Sequence, residues 1–152
     1  MFRGVQALKI DAKNRLSLPS RYHSELSENS ERTLVATIDI FEPCLLLYPL
    51  AEWELIEKKL EELPGFDVSI RRVQRLLLGH ATEMGLDGQG RLLLPQMLRQ
   101  YANLSDAAVL VGQGKKFELW DEMLWASKCH DWLQMAQHEQ ASIPEVLRAI
   151  SL

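Results

Sequence analysis

The chain repeats itself. Ile-Asp-Ala-Lys-Asn-Arg-Leu-Ser-Leu-Pro at 10–19 aligns without a gap on Leu-Asp-Gly-Gln-Gly-Arg-Leu-Leu-Leu-Pro at 86–95, an offset of 76. Asp, Arg, two Leu and Pro coincide. Further along, Leu47-Tyr48 with Trp53 matches Leu119-Trp120 with Trp125 at an offset of 72. Two matched windows, in the same order and at nearly one offset, mean a tandem duplication. A unit of half this length buries too little apolar surface to stand alone, so the two copies must share a core. The expected fold is α+β and β-rich: two tandem units paired about a pseudo-twofold axis into one β-barrel-like core with surrounding helices. The expected division is a first unit at 1–63, a connecting helix at 64–79, a second unit at 80–140 and a C-terminal tail helix at 141–152.

Each unit follows one plan. Apolar and polar residues alternate before the Asp and after the Arg, which predicts two short strands around a tight connection. Pro19 and Pro95 then sit where proline suits the first position of a helix, with Tyr22 and Leu98 at equivalent places in the helical stretches that follow. A strand comes next (Thr33–Ile38, Ala108–Val111), then its hairpin partner ending at Tyr48 or Trp120. A helix closes each unit, with Trp53, Ile56, Leu60 and Leu63 on one face in the first and Trp125, Cys129, Trp132 and Ala136 in the second. Pro64-Gly65 stops the first of these. Between the units Asp67 caps a helix faced by Ile70, Val73 and Leu77 and ended at Gly79. From Ser142 the tail holds one more amphipathic turn with Pro144, Leu147 and Ile150.

Charge is segregated along the chain. The formal net charge is -4, which as an average disfavours a polyanionic partner. Yet residues 1–23 carry Arg3, Lys9, Lys13, Arg15 and Arg21 against Asp11 alone, while 52–62 carry five glutamates against Lys58 and Lys59. A basic end and an acidic helix on one chain imply one face for an anion and another held away from it. The composition, 47% hydrophobic and 25% charged, is that of a soluble globular protein. Apolar runs such as 44–47 and 76–78 are too short to span a bilayer, and no signal-like segment opens the chain. The expected location is the cytoplasm, with Cys44 and Cys129 reduced and buried.

The doubled Asp-x-x-x-Arg carries the chemistry. Asp11 and Asp87 end a strand where a carboxylate can accept from the N–H groups of its own turn. The residue before each Arg is Asn14 or Gly90, the two types that best tolerate a left-handed backbone, so the turn is expected to need positive φ there. Arg15 and Arg91 are then aimed from a stiff turn, and the guanidinium fork suits a phosphate or the O6 and N7 of guanine. An Asp and an Arg four apart can also simply pair with each other. Recurrence of the pattern, with Lys13 and Lys9 beside one copy, favours ligand contact. Residues 77–99 balance Arg91 and Arg99 against Glu83 and Asp87, so the first hairpin is expected to carry most of the contact.

The opening Phe2-Arg3-Gly4, the Asp-Ala-Lys-Asn-Arg turn followed by Leu-x-Leu-Pro, and the second copy Asp-Gly-Gln-Gly-Arg with Leu-x-Leu-Pro resemble the MraZ family over essentially the whole chain. The resemblance implies tandem AbrB/SpoVT-like modules and a ring-shaped homo-oligomer. It implies binding of double-stranded DNA at short direct repeats in promoters of cell-division and cell-wall genes, the chain's own operon included, with control of transcription on the nucleoid. By position Arg15 and Arg91 take the family's motif arginines, and Asn14 stands where the family usually has glycine. The expected DNA-binding set is therefore Arg15, Lys13, Arg3, Lys9 and Arg91, on turns shaped by Asp11, Asn14, Asp87 and Gly90.

An enzyme would need convergent reactive groups. His23, His80, His130 and His138 are scattered, and Cys129-His130 with His138 lies on an apolar helix face where a packed core cysteine is expected. Gly88-x-Gly90 and Gly112-x-Gly114 complete no phosphate-binding or dinucleotide motif. Neither a catalytic site nor a metal or cofactor is expected. The competing reading is a protein–protein interaction module, an antitoxin-like partner built on the same swapped-hairpin unit.

Overall fold

The computed structural model describes residues 1–29, 32–138 and 144–150. It divides into two compact units, Met1–Glu122 and Met123–Leu152. Among the described residues the first holds eight strands: β1 (Phe2–Lys9), β2 (Arg15–Ser17), β3 (Thr33–Ile38), β4 (Leu45–Pro49), β5 (Thr82–Gly85), β6 (Arg91–Leu93), β7 (Ala107–Gly114) and β8 (Lys116–Asp121). Its helices are α1 (His23–Asn29), α2 (Leu50–Glu61), α3 (Val68–His80) and α4 (Gln96–Tyr101).

Six strands form one antiparallel sheet in the order β1-β7-β8-β4-β3-β5, and β2 and β6 pair separately as a two-stranded ribbon. The order is palindromic under the repeat: β1 matches β5, β7 matches β3 and β8 matches β4. The registers obey the same symmetry. Leu45 faces Leu119 and Leu47 faces Phe117 about a central Leu46–Glu118 pair, while Arg15 faces Leu93 and Ser17 faces Arg91 about a central Leu16–Leu92 pair. The copies are interleaved, since β1 pairs with β7 of the second copy and β5 with β3 of the first. The large sheet is open at β1 and β5, and among the described residues no strand closes it into a barrel. Nor is the segment from β1 to β2 a full hairpin. Its two arms meet only at the Ile10–Leu16 bridge, because each arm takes its ladder from the other copy.

Alternation places the core. The inward residues Leu34, Ala36, Leu45, Leu47, Leu110, Phe117 and Leu119 meet Leu16, Leu18, Leu92 and Leu94 of the ribbon in one cluster. Phe2, Tyr22 and Phe117 add a ring cluster, with Phe2 stacked on Phe117 at 4.0 Å. Tyr22 donates its hydroxyl to the Arg3 carbonyl at 2.8 Å, pinning the start of β1. Pro19 and Pro95 stand one place earlier than expected, as the cap residues before a 3-10 turn at Ser20–Tyr22 and before α4. Asp67 caps α3 through the N–H groups of Ser69 and Ile70. Gly79 does not end that helix. The helix runs on to His80 and is capped by Ala81, whose extended backbone leads into β5 at Thr82.

The second unit is described by itself. Helix α5 (Glu122–His138) buries no residue, and α6 (Glu145–Arg148) follows Pro144 with none buried either. Ser142, expected to open the tail, lies outside the described residues. Cys129, expected in the core, is only half-buried, on a helix that buries no residue. Cys44 is fully buried. No helix among the described residues is long and apolar enough to cross a membrane.

Candidate nucleic-acid interface

The two Asp-x-x-x-Arg turns are built alike. Asp11 Oδ1 accepts the backbone N–H of Lys13 and of Arg15, both at 2.9 Å, and Oδ2 accepts Arg15 Nε at 2.8 Å. Asp87 does the same with Gln89, Arg91 and Arg91 Nε at 2.9, 2.9 and 2.8 Å. Asn14 and Gly90 both have positive φ, 62° and 75°. The turns then lock across the copies, Leu94 N–H donating to the Asn14 carbonyl and Leu18 N–H to the Gly90 carbonyl, each at 2.9 Å.

Pairing with Asp and presentation to a ligand are not alternatives here. The carboxylate takes only Nε, and the two terminal Nη groups of Arg15 and Arg91 make no hydrogen bond to the described residues. The Asp braces the guanidinium through Nε and leaves the Nη fork unbonded among the described residues. Both arginine side chains are about three-quarters buried, at 28% and 25% exposure, so each is held rather than waving from a turn.

Three donors on one carboxylate hold Asp11 below the ordinary carboxylate range, the Arg15 backbone N–H first among them, and Arg91 does the same for Asp87. A carboxylate lowered in the folded chain stabilises it above the unfolded value of about 4 and loses that contribution as pH falls through the folded value. The turns are therefore expected to keep one structure from about pH 5 to about pH 8 and to loosen only in acid. Carboxyl-carbon chemical shifts of the two aspartates through an acid titration check this; midpoints above the ordinary range would contradict it.

The ribbon gathers what the sequence leaves apart. Leu16 and Leu92 point into the core with no exposure, so period two puts Arg15, Ser17, Arg91 and Leu93 on the outer face. Arg15 and Arg91 are diagonal neighbours there, with Cα atoms about 7–8 Å apart. Both therefore stand on one face of one ribbon. Lys13 is exposed on the first turn, at the place Gln89 takes on the second, and Lys9 is exposed at the end of β1. Arg3 is not brought in: six residues up β1 it lies about 20 Å from Lys9. Ser17 and Leu93 carry no motif of their own, and only strand periodicity from each Arg points to them.

His23 and Arg99, equivalent under the repeat, complete the frame. His23 Nε2 donates to the Leu18 carbonyl at 2.8 Å, and Arg99 Nε donates to Leu94 at 3.1 Å. A Cβ on Gly90 would lie 2.4 Å from His23 Cε1. Gly90→Ala must therefore hold a left-handed backbone and also displace the ring, and is expected to destabilise the fold by about 1–3 kcal/mol in equilibrium denaturation. His23→Ala in the same chain should recover the clash and not the backbone cost. A neutral Gly90→Ala would show that the ring does not close on the turn.

Residues 1–76 and again 77–146 match the family described as "MraZ protein, putative antitoxin-like". The chain belongs to the MraZ family. It is 51% identical over 152 residues to the Transcriptional regulator MraZ of Halorhodospira halophila, covering all of both chains. It is 50% identical over 151 residues to that of Hydrogenovibrio crunogenus, covering 99% of this chain and 98% of the relative. The Yersinia pestis relative of the same name is 50% identical over the full length of both. The two matched segments of this MraZ-family chain each contain one Asp-x-x-x-Arg turn.

Among the described residues, one group has the chemistry of metal ligands: atoms of Asp39, Cys44 and Glu118 lie within 4.8 Å of one another. Burial first, then the charges of Glu118, Asp39 and Glu42, push the Cys44 thiol well above its ordinary range. Glu118 accepts Trp120 Nε1 at 2.9 Å and Cys44 Sγ lies 3.9 Å from Asp39 Oδ2, a hydrogen-bonded cluster beside the sheet.

Proposed function

We propose that this chain is a sequence-specific DNA-binding transcriptional regulator rather than an enzyme, and that the β2–β6 ribbon is its reading element. The observation that carries the reading is the outer face of the ribbon, where two Asp-braced arginines present free Nη forks from one rigid pair of strands. The major groove of B-DNA, about 12 Å wide, admits a two-stranded ribbon, and a bidentate Arg–guanine contact contributes about 1–3 kcal/mol of discrimination. Lys13 and Lys9 border the ribbon and contact phosphates; Arg3, far along β1, adds to the general basic field. The relatives named as transcriptional regulators support the same reading.

The resemblance to MraZ extends the proposal to a ring-shaped homo-oligomer in the cytoplasm, bound at the nucleoid to short direct repeats in promoters of cell-division and cell-wall genes, its own included. A ring is built head to tail, so neighbouring ribbons point the same way, as direct repeats require. Boxes must then lie on one face of the duplex, about 10–10.5 bp apart.

Mobility shifts on the chain's own promoter DNA and on unrelated duplex of equal length test this. Preferential binding to the promoter is expected, with affinity falling steeply as salt rises because phosphate contacts release counterions. Inserting about half a helical turn between two boxes should collapse binding, since one ribbon then faces the far side. Equal affinity for both DNAs with a flat salt dependence would overturn the reading, and a protein-partner module would shift neither. Indifference to the insertion would overturn the ring alone.

A further inference from the structure

The outer face of the ribbon obeys the pseudo-twofold axis at its arginines and breaks it at the other two positions. The axis through Leu16 and Leu92 exchanges Arg15 with Arg91, which match, and Ser17 with Leu93, which do not. Leu93 is 63% exposed. A lone exposed leucine on a general surface needs no explanation. This one stands directly across the ribbon from Arg15, where facing side chains have Cβ atoms about 5 Å apart, on the face that presents both guanidinium forks.

We propose that Leu93 is a specificity residue that packs on the 5-methyl group of a thymine, and that Ser17 at the matching place leaves the other half of the ribbon without this demand. The inference rests on the reading of the ribbon as the DNA-contacting face. Its chemistry follows from what the major groove offers. The thymine methyl is the one apolar group on the base edges there, and leucine can satisfy no hydrogen-bonding edge. A serine hydroxyl both donates and accepts, so it tolerates more than one base. Arg15 with Leu93 therefore selects a guanine next to a thymine, and Arg91 with Ser17 selects a guanine with no required methyl neighbour. The two arginines alone would suit a palindrome. The Ser17–Leu93 difference gives one ribbon a direction on the duplex, so that a single folded core recognises a non-palindromic box.

The test is selection from a randomised duplex pool by the full chain and by Leu93→Ser, which restores the symmetry of the face, followed by binding to the enriched duplex with deoxyuridine in place of the key thymine. The wild-type chain is expected to enrich a guanine with a thymine fixed beside it, and Leu93→Ser to keep the guanine and lose the thymine. Removing the methyl should weaken wild-type binding about fourfold, the value of one buried methyl group, and leave Leu93→Ser unchanged. Guanine enriched without thymine, or a methyl effect equal in both proteins, overturns the role of Leu93 and leaves the DNA reading standing. A wild-type chain that enriches no sequence overturns the DNA reading and this inference with it. Deoxyuridine substitution against the wild-type protein needs no variant, so the outcome does not depend on how Leu93→Ser folds.

Discussion

Arg15→Ala is expected to lower specific affinity by roughly tenfold to a hundredfold, the loss of one bidentate base contact, while non-specific binding and unfolding stay nearly unchanged. Arg91→Ala should cost a similar factor. The sequence ranks the second turn lower because its surroundings are neutral. The structure makes the two arginines geometric equals: each Nε lies 2.8 Å from its aspartate, and each side chain has about the same exposure. Within the turns themselves what differs is the flank, Lys13 against Gln89. That flank should therefore appear in salt dependence and not in the guanine contact of either arginine, while any difference at the neighbouring base belongs to Leu93 and Ser17. Lys13→Gln, which gives the first turn the flank of the second, is expected to reduce the slope of log affinity against log salt by about one and to leave the ratio of specific to non-specific binding alone. The double Arg variant should bind at the non-specific level. Since the two sites are diagonal neighbours, their energies need not add, and the two single variants with the double measure the coupling. Loss of discrimination from Arg15→Ala with none from Arg91→Ala would return the reading to the first turn alone.

Local chemistry was legible in the sequence because it is governed by neighbouring residues. Asp67 had to cap a helix, and Thr33–Ile38 had to be a strand, since capping and alternation act over a few residues. The offset of 76 identified Arg91 as the equivalent of Arg15. It could not say whether β1 would pair within its own copy or across to β7, because both choices bury the same alternating face. Only long-range packing decides, and it decides for the exchange. The same limit hid Leu93. In a run of Leu92, Leu93 and Leu94 every residue looks buried, and only the ribbon's pleat turns the middle one outward while its neighbours are 0% and 2% exposed. On α5, spacing revealed a face of Trp125, Cys129 and Trp132, whose two indole rings meet at 6.0 Å. Spacing says which residues share a face and not how deeply they are buried, and no residue of that helix is buried.

Cutting the chain after α3, into 1–80 and 81–152, should abolish the folded monomer in both pieces. Of the six strand ladders among the described residues, only β3–β4 and β7–β8 lie within one piece, and the other four cross the cut. The first piece would keep one two-stranded hairpin with α2 and α3 against it, and a lone hairpin is marginal in water. Its ribbon would vanish, since among the described residues β2 takes its ladder from β6 alone, and Leu16 and Leu18 would lose the layer that buries them. The symmetry of the repeat leaves one escape. A second copy of 1–80 can supply its own β1 to β3, its β2 to β2 and its β4 to β4, in registers that differ from the native ones only by exchange of equivalent residues. The first piece is therefore expected to be unfolded when dilute and a homodimer when concentrated, with a melting temperature that rises with concentration. Mixing the two pieces should restore the native spectrum, because Arg15 and Arg91 then stand again on one ribbon. A first piece that melts cooperatively as a monomer, at a temperature independent of concentration, would mean that each copy can close its own sheet and that the exchange of β1 and β5 is not what holds the core together.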